Sequence, residues 1–149
     1  MAKAKMFVNG DLVTAATANR YFNLEVPPEA AETYAAANLT LLDTTNYQLP
    51  VGGRPPRVSR QGLRVALGGA FQVKTAGHLS STFRRLYDLP SGPDYRPTHS
   101  VVDLVYLDNS QFVVILVNPD GGVHFIVNGS GASPANAVCH FNIGWDLLP

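Results

Sequence analysis

Side chains able to do chemistry are few and scattered along this sequence. The four histidines, His78, His99, His124 and His140, show none of the short spacings typical of metal ligands. The single cysteine, Cys139, excludes a zinc site built from several thiolates and an internal disulfide framework. The sequence therefore predicts no metal and no cofactor, and we expect Cys139 to be a buried, inert thiol in a strand.

The carboxylates are equally dispersed. Asp103, Asp108, Asp120 and Asp146 fall in different predicted turns and strands, and none forms the close pair that glycosidase chemistry requires. The segment Gly129-Ser130-Gly131 lacks the flanking pattern of a nucleophile elbow and is typical of a flexible loop. We therefore predict no catalytic residue; a hydrolytic site would require the distant aspartates to meet in space.

The overall composition points to contacts with other protein. Of the 149 residues, 15% are charged and 46% are hydrophobic, and 11 Lys+Arg balance 11 Asp+Glu. A soluble domain usually carries about 25% charged residues, so we interpret the low charge as surface that faces protein. The absence of a basic excess argues against nucleic acid as a partner.

Membrane insertion and export are not expected. The longest apolar stretch, residues 112–117, is far shorter than the roughly 20 residues of a spanning helix. The first nine residues turn polar too soon for a signal-peptide core, so we expect synthesis in a cytoplasm-like compartment.

The elements that must position these residues are mostly strands. From residue 60 to 149 apolar side chains alternate with polar ones, and turn-forming residues separate the runs. This pattern predicts a mainly β fold, an antiparallel β-sandwich domain over residues 60–149. The predicted strands cover residues 63–67, 71–75, 83–87, 101–107, 112–117, 123–127 and 138–145.

One predicted strand, residues 112–117, is apolar on both faces. Such a strand should be buried on both sides. A domain of this size covers both sides only with a further sheet or another subunit, so we predict that Phe112, Val114 and Leu116 lie in a subunit interface. Three copies could bury this strand against a common axis.

The first 25 residues are predicted to be an attachment segment. Thr14 is a suitable N-cap for a helix over residues 15–22, which is too short to be stable alone. The apolar residues of this segment therefore need a surface to pack on, and we expect another subunit or protein rather than the chain's own C-terminal part. These residues are Leu12, Val13, Tyr21 and Phe22.

Residues 26–59 are predicted to be a helix followed by an extended linker. Pro27-Pro28-Glu29 is a favourable helix start, and residues 30–37 have high helix propensity. Their small side chains suit either a seam around a symmetry axis or a single connecting helix. Residues 43–60 are rich in proline and glycine, which is typical of a linker, and the domain boundary is placed near Ser59.

The aromatic residues divide into core and candidate surface residues. Core packing accounts for most of those at strand positions. Tyr87, Tyr95, Tyr106 and Trp145 are the ones that could line a shallow sugar-binding surface.

Two stretches resemble a known family. The segment Val8-Asn-Gly-Asp-Leu-Val-Thr-Ala-Ala-Thr-Ala-Asn-Arg-Tyr-Phe22 resembles the G-x-x-L/V-T-A-A-x-x-N opening of tail-fibre and minor tail proteins of tailed bacteriophages. The C-terminal part resembles the β-structured tip of such fibres in five places: Leu67-Gly-Gly-Ala-Phe71, Leu89-Pro-Ser-Gly-Pro-Asp-Tyr-Arg-Pro97, Val113-Val-Ile115, Asn118-Pro-Asp-Gly-Gly-Val123 and a closing aromatic strand with Trp145. The sequence departs from that pattern by the insertion of Pro93-Asp94 and by an extra glycine, Gly122.

The resemblance implies a structural protein of the virion, located on its tail or head surface and made in the host cytoplasm. It implies a homotrimer whose N-terminal segment binds other virion proteins and whose β-domain is exposed, where it could contact a host-surface glycan or protein. The alternatives are a capsid decoration or head-fibre protein, a glycan-degrading enzyme that would use Asp103 or Asp146, and a lectin-like module.

Overall fold

The part of the chain that the structure describes is built from β-strands. The structure is a computed structural model that describes residues 34–80, 82–107, 111–128 and 132–147. These residues form nine strands and no helix. The strands are β1 (Tyr34–Asn38), β2 (Tyr47–Gln48), β3 (Arg57–Gln61), β4 (Arg64–Val73), β5 (Arg84–Asp88), β6 (Val101–Leu107), β7 (Phe112–Val117), β8 (Gly122–Asn128) and β9 (Val138–Asp146).

All of these strands belong to one antiparallel sheet. Its order is β1-β3-β4-β9-β6-β7-β8-β5, and β2 pairs with β4 off this path. Three hairpins, β3–β4, β6–β7 and β7–β8, connect neighbours in sequence, whereas β9 inserts between β4 and β6. The predicted turn between β7 and β8 is confirmed: the N–H of Gly121 donates to the carbonyl of Asn118, and Gly121 has a positive φ of 89°.

The sheet curls until its two halves face each other. Phe71 on β4 and Phe125 on β8 have ring centroids 4.9 Å apart, although β4 and β8 lie four positions apart in the strand order. In a flat sheet this separation would be about 19 Å. The curl produces a half-barrel, and its concave side holds a single core in which Phe71, Phe125 and Phe141 pack together.

The prediction of a mainly β, antiparallel fold is confirmed, but the layers differ from those of a sandwich. The described residues form one curled sheet, whereas a sandwich has two separate sheets. Residues 63–67 and 71–75 were expected to be two strands separated by Gly68-Gly69. Instead β4 runs through both glycines. The lack of a side chain at Gly69 allows Pro56 to approach the strand closely, and the chain does not turn there.

The helix predicted over residues 30–37 is wrong for residues 34–37. These residues form β1, which pairs with β3 and places Ala36 opposite Ser59. Alanine favours a helix by intrinsic propensity, but propensity is a weak effect that the pairing of β1 with an open sheet edge overrides. The rest of that helix, and the attachment segment with Leu12, Val13, Tyr21 and Phe22, lie outside the described residues.

Part of the segment predicted to be a linker packs into the core. Tyr47 and Val58 are fully buried. The turn before Tyr47 is held by Asp43, whose Oδ1 accepts hydrogen bonds from the backbone N–H groups of Thr45 and Asn46, both at 3.1 Å. Burial tends to raise the pKa of Asp43, but the hydrogen bonds from Asn46 and Thr45 together lower it below its usual value. This polar turn thus positions Tyr47 in the core.

Two buried tyrosines differ in how their hydroxyl groups are satisfied. The Tyr47 hydroxyl lies 2.9 Å from Nδ1 of His78. The Tyr87 hydroxyl is buried and has no hydrogen-bond partner among the described residues. Burial, with a smaller contribution from Cys139, raises the pKa of Tyr87 above its usual range, and burial raises that of Tyr47 to about 12. Of these two hydroxyl groups, that of Tyr87 lies buried without a hydrogen bond to a described residue.

We expect Tyr87→Phe to leave the free energy of unfolding unchanged or to raise it by about 1 kcal/mol, because an unpaired buried hydroxyl is removed. Tyr47→Phe is the matched control, and its lost hydrogen bond should cost about 1 kcal/mol. Urea denaturation of both variants measures the difference. Equal destabilisation by the two substitutions would contradict the assignment of the Tyr87 hydroxyl as unpaired.

Candidate functional site

The strongest candidate site is the convex surface of the β6–β7–β8 hairpins. Antiparallel partners in register point to the same side of a sheet. The convex side chains therefore stand in rows across the three strands: Val102 beside Leu116 and His124, Leu104 beside Val114 and Ile126, and Tyr106 beside Phe112. We call the seven apolar members the apolar face: Val102, Leu104, Tyr106, Phe112, Val114, Leu116 and Ile126.

The apolar face is open to solvent in the single chain. Val102 is 61% exposed, Leu104 51%, Tyr106 57% and Phe112 42%. Val114, Leu116 and Ile126 are half-buried by their neighbours. Scattered exposed apolar residues are ordinary, whereas a contiguous apolar surface marks an interaction site.

Local sequence explains why the face exists. Along β7, Val113, Ile115 and Val117 point inward and are fully buried, so the core uses only every second residue. The alternate residues are equally apolar and must point outward. The rings of Tyr106 and Phe112 pack against each other with centroids 4.6 Å apart, which orders one end of the face.

Charged side chains border the face on the β5 side. Arg85 Nε donates to Asp88 at 2.6 Å, and its Nη1 donates to Asp120 at 2.9 Å. The hydrogen bond to Asp88 raises the pKa of Arg85, whereas the N–H of Gly122, with Arg85, lowers the pKa of Asp120. Burial, together with the charge of Arg85, lowers the pKa of His124. The charges along this border are therefore paired with one another. His124, which lies beside Leu116, favours its neutral form.

The predicted interface residues lie together on this face. Phe112, Val114 and Leu116 project from the same side of β7. The sequence predicts that β7 is covered on both sides. Within one chain, only its inner side is covered, and its outer side belongs to the apolar face. Sequence reasoning missed Val102 and Leu104, although β6 is nearly as apolar as β7 and the short β6–β7 connection already pairs the two strands.

The four aromatic residues proposed to line a sugar surface do not come together. Tyr87 is fully buried among core rings, and Trp145 is buried at 7% exposure. Trp145 Nε1 donates to the carbonyl of the half-buried Tyr95 at 3.0 Å. Tyr106 alone among the four is well exposed, as part of the apolar face.

Other chemistry is sparse in the described ranges. Residues 34–80, 82–107, 111–128 and 132–147 contain no group of three or more His, Cys, Asp or Glu residues able to hold a metal ion. The same part of the chain holds no helix long and apolar enough to cross a membrane. Cys139 is a buried thiol. A polar cluster of Asp43, His78 and Tyr47 contains residue types used in catalysis, and it connects two loops around the Tyr47 hydroxyl.

A scan against protein-family models found no match for this chain. A search of curated proteins found no relative.

Proposed function

We propose that this protein is a structural component of a tailed-bacteriophage particle, a tail-fibre-like subunit that assembles as a homotrimer through the apolar face. The observation that carries the proposal is that three neighbouring strands present an uncovered apolar surface. The β-domain would then be the exposed part of an appendage, available for contact with the host surface.

The composition of the face supports a second copy of the same chain as its occupant. No convex position of β6 or β7 holds a charged residue, as in the core of a protein–protein interface. The whole chain has no net charge, so copies would not repel one another. Closed rotational symmetry is the usual form of such self-assembly, and a threefold axis would bring three apolar faces together.

The resemblance of residues 8–22 to the opening of phage fibre proteins supports attachment to the particle. In this proposal Leu12, Val13, Tyr21 and Phe22 contact other virion proteins, while the apolar face holds the trimer together. The same organisation suits a capsid decoration or head-fibre protein. Imaging of the particle distinguishes these two, since a decoration protein is present in many symmetric copies and a tail protein in few.

The experiment that tests the assembly is size-exclusion chromatography of the full chain with light scattering. We expect a mass of about three times the 16.0 kDa of the monomer. A monomeric mass at micromolar concentration would overturn the assembly, and a stable dimer would overturn the threefold arrangement.

A further inference from the structure

A second feature of the convex surface is a cavity of about 660 Å³ near the other end of the sheet. Its floor is formed by β4 at Gly68 and Ala70, which lack large side chains. The loop before β3 supplies a wall through Arg54 and Pro55, and β3 itself begins at the cavity with Arg57. The volume lies within the range of small-ligand sites, roughly 300–1,000 Å³.

The sheet register gathers polar side chains around this floor. Arg57 pairs with Asn38 of β1 on one side and with Gly68 of β4 on the other. Two residues further along β4, Ala70 pairs with His140 of β9. Asn38, Arg57 and His140 therefore project from the same side of the sheet around a low, flat floor.

The two arginines of the cavity differ from every other arginine that the structure describes. Their side chains form no hydrogen bond or ion pair with a described residue. The remaining five each have a partner: Arg60 pairs with Asp94, Arg64 lies 4.0 Å from Asp146, Arg85 bonds Asp88 and Asp120, and Arg84 and Arg96 donate to backbone carbonyls. Within the described part of the chain, no protein group occupies the donors of Arg54 and Arg57, which leaves them available to a ligand.

The charge of the cavity selects the chemical class of that ligand. No aspartate or glutamate lies among the described residues that line it, so the two guanidinium charges are not neutralised there. A guanidinium presents five N–H donors in a planar fork that matches a carboxylate, sulfate or phosphate. Asn38 and His140 add groups that hydrogen-bond hydroxyls.

We propose that this cavity binds an acidic saccharide, with Arg54 and Arg57 on the carboxylate or sulfate group and with Asn38 and His140 on sugar hydroxyls. The flat floor at Gly68 and Ala70 gives a sugar ring room to lie against the sheet. The described residues of the lining include no Phe, Tyr or Trp on which a nucleobase could stack, which disfavours a nucleotide. This inference rests on the proposed function in one respect: it names the class of ligand that the exposed β-domain would contact.

The test is calorimetric titration of the full chain with a heparin tetrasaccharide, an oligogalacturonate and, as a neutral control, cellotetraose. We expect binding of one or both acidic saccharides, weakened by added salt, and no binding of cellotetraose. The double variant R54A/R57A should lower the affinity at least tenfold. Arg64→Ala, a change of another exposed arginine on the same side of β4 but outside the cavity, should leave it unchanged.

Several outcomes would overturn this assignment. They are no binding of either acidic saccharide, equal binding of cellotetraose, equal binding of inorganic phosphate alone, and affinity that persists in R54A/R57A. Because both arginines are exposed, the double variant should keep the thermal unfolding midpoint and the assembled mass of the wild type. The two proposals can therefore fail separately. An absence of saccharide binding would not change the measured mass, and a monomeric mass would not prevent the titration from detecting saccharide binding.

Discussion

Gly69→Ala is expected to destabilise the protein strongly, whereas Gly68→Ala, one residue earlier, is expected to have little effect. A Cβ at Gly69 would lie 2.5 Å from Cβ and 2.6 Å from Cα of Pro56. A Cβ at Gly68 would meet nothing closer than 3.7 Å. The two glycines share a strand and a sequence context, so they differ mainly in the face of the sheet to which each added methyl would point.

Pro56 has little freedom to move away. It is buried, it directly precedes β3, and its carbonyl accepts a hydrogen bond from the N–H of Leu39 at 2.7 Å. Relief of the clash would therefore require β3 to shift against β4. Overpacking of this kind costs about 1–3 kcal/mol or more.

Urea denaturation of Gly69→Ala, Gly68→Ala and the wild type gives the comparison. We expect Gly68→Ala to fall within about 1 kcal/mol of the wild type, with stabilisation possible because alanine reduces the freedom of the unfolded chain. Similar unfolding midpoints for the two variants would contradict the close approach of Pro56 to β4.

The same pair of glycines shows where sequence reasoning succeeded and where it failed. Two adjacent glycines between alternating runs are the usual signal of a turn. The alternative, a close backbone approach, depends here on Pro56, which lies outside this stretch of the sequence. The β6, β7 and β8 strands were predictable because each is a mainly apolar run and short turn signals separate the three runs. The position of β9 between β4 and β6 was not, since no local signal specifies which distant strands pair.

The candidate site divides in the same way. Phe112, Val114 and Leu116 were predictable because β7 has no polar face, a property of six consecutive residues. Arg54 and Arg57 gave no signal, because they stand in a stretch whose composition is typical of a linker. Their common cavity arises only when β1 and β4 pair on either side of β3. The helix prediction failed for the same reason: alanine propensity is local, whereas the pairing of β1 is not.

Val114→Glu is expected to abolish the proposed trimer without unfolding the subunit. Val114 lies in the middle row of the apolar face, with Leu104 and Ile126 in register on either side. In the assembled form a glutamate there would be buried against apolar side chains without a partner, which is strongly unfavourable. In the free subunit the same side chain lies on the convex surface and reaches water, so the core formed by Val113, Ile115 and Val117 remains intact.

Light scattering at micromolar concentration should then report a mass near 16.0 kDa for Val114→Glu in place of about three times that value. Substitution of a hot-spot residue near the centre of an interface costs about 2 kcal/mol or more, which weakens association by about thirtyfold or more. Ala66→Glu is the matched control: it adds the same charge to an exposed position on the convex side of β4, away from the apolar face.

The two variants together separate the apolar face from a general effect of added charge. If only Val114→Glu dissociates the assembly, and both variants unfold at the wild-type urea concentration, the contact lies on β6–β7–β8. If both keep the assembled mass, the subunits meet elsewhere and the apolar face has another occupant. If both dissociate, charge rather than apolar contact controls assembly, and the low charge content of the chain does not reflect an apolar subunit interface.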